Sequence, residues 1–138
     1  MCSSDLANFR RSSNGGASWI SNGSTSTAGQ FIDPYDFDNT NNKIYAGGAA
    51  GEFIRWENPH TGFTLTNVPV SDFGTGTASS VTVSTVPNRV YFGTDRARLI
   101  KVENADQATP VSTIITPLGI PVPTTTFRSE ERRVGKEC

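Results

Sequence analysis

From residue 31 to residue 116, apolar and polar positions alternate in short runs, of which Val81-Thr82-Val83 and Val90-Tyr91-Phe92 are the clearest. Alternation with a period of two sends successive side chains to opposite faces of an extended chain, so these runs predict strands. Gly, Asn, Pro, Ser and Thr interrupt them at close intervals, which keeps each strand short and ends it in a turn. No stretch carries the 3.6-residue period of an amphipathic helix. The periodic segments are rich in Thr, Val and Ile, whose stiff, branched side chains suit a pleated surface. The pattern predicts an all-β protein.

The strands repeat. Lys43-Ile44-Tyr45-Ala46-Gly47 recurs as Arg89-Val90-Tyr91-Phe92-Gly93, and Phe53 to Asn58 recurs as Leu99 to Asn104, both 46 positions on and without a gap. Two blocks in one register define a repeated structural unit. Arg11 and Asn14 precede Arg55 and Asn58 by 44 positions, and the same offset sets Trp19 opposite Phe63, so the chain starts inside an earlier copy. The second unit predicts strands at Phe31 to Phe37, Lys43 to Gly47, Phe53 to Glu57 and Gly62 to Val68. For the third they fall at Ser80 to Thr85, Arg89 to Gly93, Leu99 to Glu103 and Val111 to Thr116. Ile54, Trp56, Ile100 and Val102 take the buried face, and Arg55 and Lys101 the opposite face, where their stems cover a sheet surface.

The most distinctive polar cluster is Ser12-Ser13-Asn14-Gly15-Gly16-Ala17-Ser18-Trp19. Asn14 can accept backbone N–H groups from residues ahead of it, Gly15 and Gly16 can take positive φ, and Ser18 adds a hydroxyl, all of which are means of closing a hairpin. Trp19 can anchor the turn by burying its ring. The spacing Ser12-x-Asn14-x-Gly16-x-Ser18-Trp19 resembles the Asp-box, or BNR repeat, of sialidase-like, sortilin-like and xyloglucanase-like β-propellers, with Asn14 where that family usually has Asp. The box decays in the second unit to Asn58, Gly62 and Phe63, and in the third to Asn104. This loss suits a structural rather than a ligand-binding motif. The resemblance implies a partial β-propeller of about two and a half four-stranded antiparallel blades. Residues 7–23 would end a first blade, 31–70 and 78–116 would form a second and third, and 117–127 would be a loop or the start of another. A closed ring typically needs about four to eight blades, so the rest of its propeller is expected to lie outside this sequence.

Composition changes that picture at the two ends. Residues 128–138, from Arg128 to Cys138, resemble the translation of a common sequencing adapter, and residues 1–6 resemble its paired adapter; both are set aside from the fold. Genomic DNA encoding them would refute this reading. Cys2 and Cys138, the two cysteines, fall in those ends, leaving no disulfide or thiol chemistry between them. The whole chain carries 12 basic and 13 acidic residues, scattered, for a net charge of −1. That balance gives no electrostatic case for nucleic acid or an anionic membrane. No apolar run approaches the roughly 20 residues of a membrane span.

Candidate chemistry is sparse. Asp33, Asp36 and Asp38, with nearby Asn39, Asn41 and Asn42, could offer oxygen ligands to calcium, but the segment lacks the glycine and terminal glutamate of an EF-hand loop. A solvated, Asn- and Asp-rich turn is the simpler expectation, and no other cofactor is implied. His60, the only histidine, sits between Pro59 and Thr61 in a predicted turn with no nucleophile at a recognisable spacing. The resemblance leaves two functions open. One is a secreted or cell-surface, non-catalytic scaffold binding carbohydrate or an extracellular protein. The other is part of a glycoside hydrolase, sialidase-like or xyloglucanase-like, whose catalytic residues lie mostly elsewhere. No catalytic motif of the family is matched here, so no catalytic residue is assigned.

Overall fold

The computed structural model describes residues 8–24, 33–62 and 64–115. These form ten strands in three antiparallel sheets, none of them closed. The first sheet is the hairpin β1 (Asn8–Arg11) and β2 (Ile20–Ser24). The second runs in chain order through β3 (Tyr35–Asp38), β4 (Lys43–Gly47), β5 (Glu52–Glu57) and β6 (Thr64–Pro69). A single 3-10 turn, Ser71–Phe73, leads into the third sheet. That sheet comprises β7 (Ala78–Val83), β8 (Val90–Thr94), β9 (Leu99–Glu103) and β10 (Val111–Ile114). The fold is all-β, and its two successive four-stranded meanders are consistent with a partial, propeller-like arrangement.

The repeat is carried by backbone geometry as well as by sequence. Asn42 and Asn88 both have positive φ, at 50° and 57°, and so do Asn58 and Asn104, at 49° and 54°. Asparagine is one of the few residues with a side chain that tolerate this left-handed region, so it recurs where each unit turns. The turn between the second and third strands of each unit uses Gly51 at 84° and Ala97 at 55°. At Gly51 a Cβ would also lie 3.1 Å from the Gly74 carbonyl oxygen, so glycine answers both the conformation and the space.

The pairing registers agree between units. Tyr45 lies opposite Arg55 and Tyr91 opposite Lys101, while Ala46 lies opposite Ile54 and Phe92 opposite Ile100. β3 is shorter than the sequence suggests, because Pro34 has no N–H to extend the ladder, although its carbonyl still accepts the Gly47 N–H at 2.8 Å. Phe31, Ile32 and Phe63 lie outside the described residues, as do 1–7, 25–30 and 116–138.

The core lies between the second and third sheets. Tyr45, Phe53 and Val68 from the second meet Val81, Val90, Phe92, Ile100 and Val102 from the third, with Val70 and Phe73 closing one end. The Phe92 ring stacks on Phe53 at 5.0 Å between centroids and meets Phe73 edge-on at 5.3 Å. Ile100 and Val102 therefore take the buried face that alternation assigns them. In β5 both faces are covered, since Phe53, Ile54, Arg55 and Trp56 are all buried. Arg55 thus departs from the surface position expected of it, because the β9–β10 turn of the third sheet lies over its side chain.

Candidate functional site

Each polar residue singled out in the sequence has an identifiable structural position, beginning with the β1–β2 turn. Ser12 Oγ accepts the Gly16 N–H at 2.7 Å and donates to Asn14 Oδ1 at 3.0 Å. Asn14 Oδ1 also accepts the Ser18 N–H at 2.9 Å, and its amide Nδ2 donates to Ser18 Oγ at 2.9 Å. Gly15 and Gly16 have φ of 68° and 92°. The side chains of Ser12, Asn14 and Ser18 thus turn inward on the hairpin itself. Trp19 does not bury its ring: it is 61% exposed, with no sheet over it among the described residues. An aromatic anchor needs a surface to lie against, and alternation cannot tell whether one is supplied.

The later boxes keep the turn with fewer side chains. The Asn58 carbonyl accepts N–H groups from Thr61 and Gly62 at 3.0 and 2.9 Å, and the Gly62 carbonyl accepts the Trp56 indole N–H at 2.9 Å. In the third unit the Asn104 carbonyl accepts the Gln107 N–H at 2.9 Å. Backbone carbonyls held by a left-handed asparagine replace the Ser and Asn side chains of the first box.

The acidic residues of the β3 region are spread out by the fold. Asp38 Oδ1 accepts the N–H groups of Thr40 and Asn41, both at 3.0 Å, and Oδ2 accepts the Asn41 side chain at 2.8 Å. Asp36 instead reaches the next sheet, where Oδ2 accepts the Val83 N–H at 2.7 Å. Among the described residues no group of three His, Cys, Asp or Glu side chains is placed to hold a metal ion, and the Asp36 and Asp38 carboxylates accept N–H groups of the protein instead. Calcium added to millimolar levels is expected to leave the melting temperature unchanged, which differential scanning calorimetry checks directly.

Between sheets, the recurring polar device is an arginine that donates into the neighbouring hairpin turn. Arg11 donates to the His60 carbonyl oxygen, while Arg55 Nη1 donates to those of Ala105 and Gln107 at 3.0 and 2.9 Å. Arg55 Nε also pairs with Glu57 at 3.0 Å. The His60 ring is exposed and packs edge-on to Phe37 at 5.8 Å. In the third sheet the equivalent ion cluster is Glu103 between Arg89 at 2.5 Å and Lys101 at 3.1 Å. The hydrogen bond from Arg89, and after it that from Lys101, holds the Glu103 carboxyl below its ordinary range.

Tyr45 is completely buried within this seam, and its hydroxyl has no hydrogen-bond partner among the described residues. Burial, followed by the negative charges of Asp38 and Asp106, pushes its pKa up to about 12. The unfolded chain releases this proton near the ordinary value of about 10. The contribution is therefore intact below that value and is lost as pH rises toward about 12. Tyr45→Phe is expected to change stability little at neutral pH and to remove on the order of 2–3 kcal/mol of the alkaline loss. Urea titrations at a series of pH values test this, and an unchanged alkaline slope in the variant would refute it.

A shallow groove of about 410 Å³ is lined by Gly51, Pro69, Val70, Ser71, Gly74, Ala108, Thr109, Pro110 and Ser112. At its edge Ser112 donates to Asp72 Oδ2 at 2.7 Å, and Arg98 Nη1 donates to the Asp72 carbonyl oxygen at 2.8 Å. Hydroxyls and backbone groups provide its polarity, and no ionisable side chain lines it. The groove has no signature in the sequence because its residues come from two different units. Comparison with family models, with curated proteins and with solved structures gives no match. Among the described residues no helix is long and apolar enough to cross a membrane.

Proposed function

We propose that the chain is a section of an Asp-box, propeller-type scaffold, secreted or displayed at a cell surface, that binds carbohydrate or an extracellular protein without catalysing a reaction. The observation that supports this reading is the groove between β6 and the β9–β10 turn, which is largely apolar, carries the hydroxyls of Ser71, Thr109 and Ser112, and has no ionisable side chain in its lining. Neutral hydroxyls and backbone groups can hydrogen-bond a sugar or a peptide, whereas glycoside hydrolysis in most families uses two carboxyl groups facing each other across a site, and no ionisable side chain lines this groove. The Asp36 and Asp38 carboxylates are already committed to backbone N–H groups, and Glu57 and Glu103 to cations.

A glycan array probed with the 138-residue chain, alongside the variant Thr109→Lys, tests the reading. Binding that Thr109→Lys weakens is the expected result. Turnover of a fluorogenic sialoside or xyloglucan oligosaccharide by the purified chain would overturn it.

A further inference from the structure

We infer that Asn14 is a site of spontaneous covalent modification: the β1–β2 turn promotes loss of its side-chain amide and converts residue 14 to aspartate or isoaspartate. The inference stands apart from the binding function, and failure of either leaves the other standing. Asparagine followed by glycine is the pair most open to this reaction, because a glycine nitrogen has no Cβ beside it to hinder its approach to the neighbouring amide carbon. The chain contains two such pairs, Asn14-Gly15 and Asn22-Gly23. The fold treats them differently. Asn22 lies within β2, in the extended backbone of a ladder, whereas Asn14 and Gly15 lie in the exposed turn.

Each group that the reaction uses is free or suitably held in that turn. The Gly15 nitrogen is the nucleophile. Its N–H makes no hydrogen bond among the described residues, and no atom beyond its chain neighbours lies within 4 Å of where a Cβ would stand. Solvent base and the neighbouring side chain can therefore both reach it. Asn14 Cγ is the electrophile. Its oxygen already accepts the Ser18 N–H at 2.9 Å and the Ser12 hydroxyl at 3.0 Å. Negative charge gathers on that oxygen as nitrogen adds to carbon, so the same two donors stabilise the addition more than they stabilise the resting amide. Nδ2 is the leaving nitrogen. It donates to Ser18 Oγ at 2.9 Å, which places a hydroxyl where it can hand over a proton as the nitrogen departs.

The reaction balances with water alone. Gly15 N gives its proton to solvent and bonds to Asn14 Cγ, the Cγ–Nδ2 bond breaks, and Nδ2 leaves as ammonia, closing a cyclic imide. Water then opens the ring at either carbonyl. One opening gives aspartate on an unchanged backbone, and the other gives isoaspartate, with an extra methylene in the chain. Aspartate suits the turn as it stands, since the Ser18 N–H and the hydroxyls of Ser12 and Ser18 can all donate to a carboxylate. Isoaspartate lengthens the chain between Ser12 and Gly16, which the 2.7 Å bond from the Gly16 N–H to Ser12 Oγ now spans. Either product adds a negative charge to a hairpin whose first strand carries Arg10 and Arg11.

Peptide mapping by mass spectrometry tests the inference on the 138-residue chain, incubated at mildly alkaline pH with and without guanidinium chloride. Asn14 should lose its amide about tenfold faster in the folded chain than in the denatured one. Asn22 should do the reverse, and it reports in every sample that the hairpin is folded. Ser12→Ala removes one donor to the Asn14 oxygen and should slow the reaction at Asn14 by about threefold or more in the folded chain alone. Ser12→Thr keeps the hydroxyl and should restore the rate. Folding that slows Asn14 or leaves its rate unchanged, a Ser12→Ala chain that reacts as fast as the wild type, or a Ser12→Thr chain as slow as Ser12→Ala would each overturn the inference.

Discussion

Phe92→Ala is expected to lower stability by about 3–5 kcal/mol, a large share of the total for a chain of this size. Phe92 is fully buried and touches both Phe53 of the second sheet and Phe73 of the 3-10 turn. Its removal forfeits the transfer free energy of the ring, two aromatic contacts and the packing of a seam whose strands cannot close on the space without breaking register. Phe92→Leu keeps most of the volume and should cost under about 1.5 kcal/mol. Urea unfolding followed by tryptophan fluorescence separates the two. Equal costs for Ala and Leu would mean that the sheets slide to refill the cavity, and that the seam is less rigid than its repeated register implies. The counterpart of Phe92 one unit earlier is Ala46, so the seams are not interchangeable: the large residue sits only where two four-stranded sheets meet.

The repeat and its phase were legible because they rest on local chemistry. Asn42 with Asn88, and Asn58 with Asn104, are residues whose left-handed backbone can be anticipated from type alone. Ala97 is not, since alanine avoids positive φ and takes it here only as the counterpart of Gly51. Alternation also placed Arg55 on the face opposite Ile54 but could not say that the next hairpin covers that face. The opposite error arose at Trp19, where a large aromatic side chain suggested burial and the structure leaves its ring in the open. For the acidic residues near β3, sequence spacing gives no direction. In the fold Asp38 curls over its own turn while Asp36 reaches across to Val83. The groove was invisible for a related reason: Gly51 and Thr109 are neighbours only once two sheets have packed.

Arg55→Met is the second substitution expected to have a large effect, on the order of 2–4 kcal/mol. Methionine keeps much of the stem's apolar contact, so the cost isolates the guanidinium. Its loss leaves the Ala105 carbonyl without this donor in a buried site, the Gln107 carbonyl in a part-buried one, and Glu57 without the Nε bond. Glu57 remains partly exposed and can be rehydrated, so the carbonyls decide the magnitude. Arg55→Lys retains the charge but offers a single ammonium in place of two separate nitrogens directed at Glu57 and at the turn, and should recover about half the loss. Arg11→Met removes the same kind of bond at an exposed position and should cost no more than about 1 kcal/mol. If chemical denaturation gives equal costs at positions 11 and 55, burial does not set the strength of these seams. If Arg55→Met falls within about 0.5 kcal/mol of wild type, the arginine is a surface residue in energetic terms, and the seam is held by Phe53, Phe92 and their apolar neighbours alone.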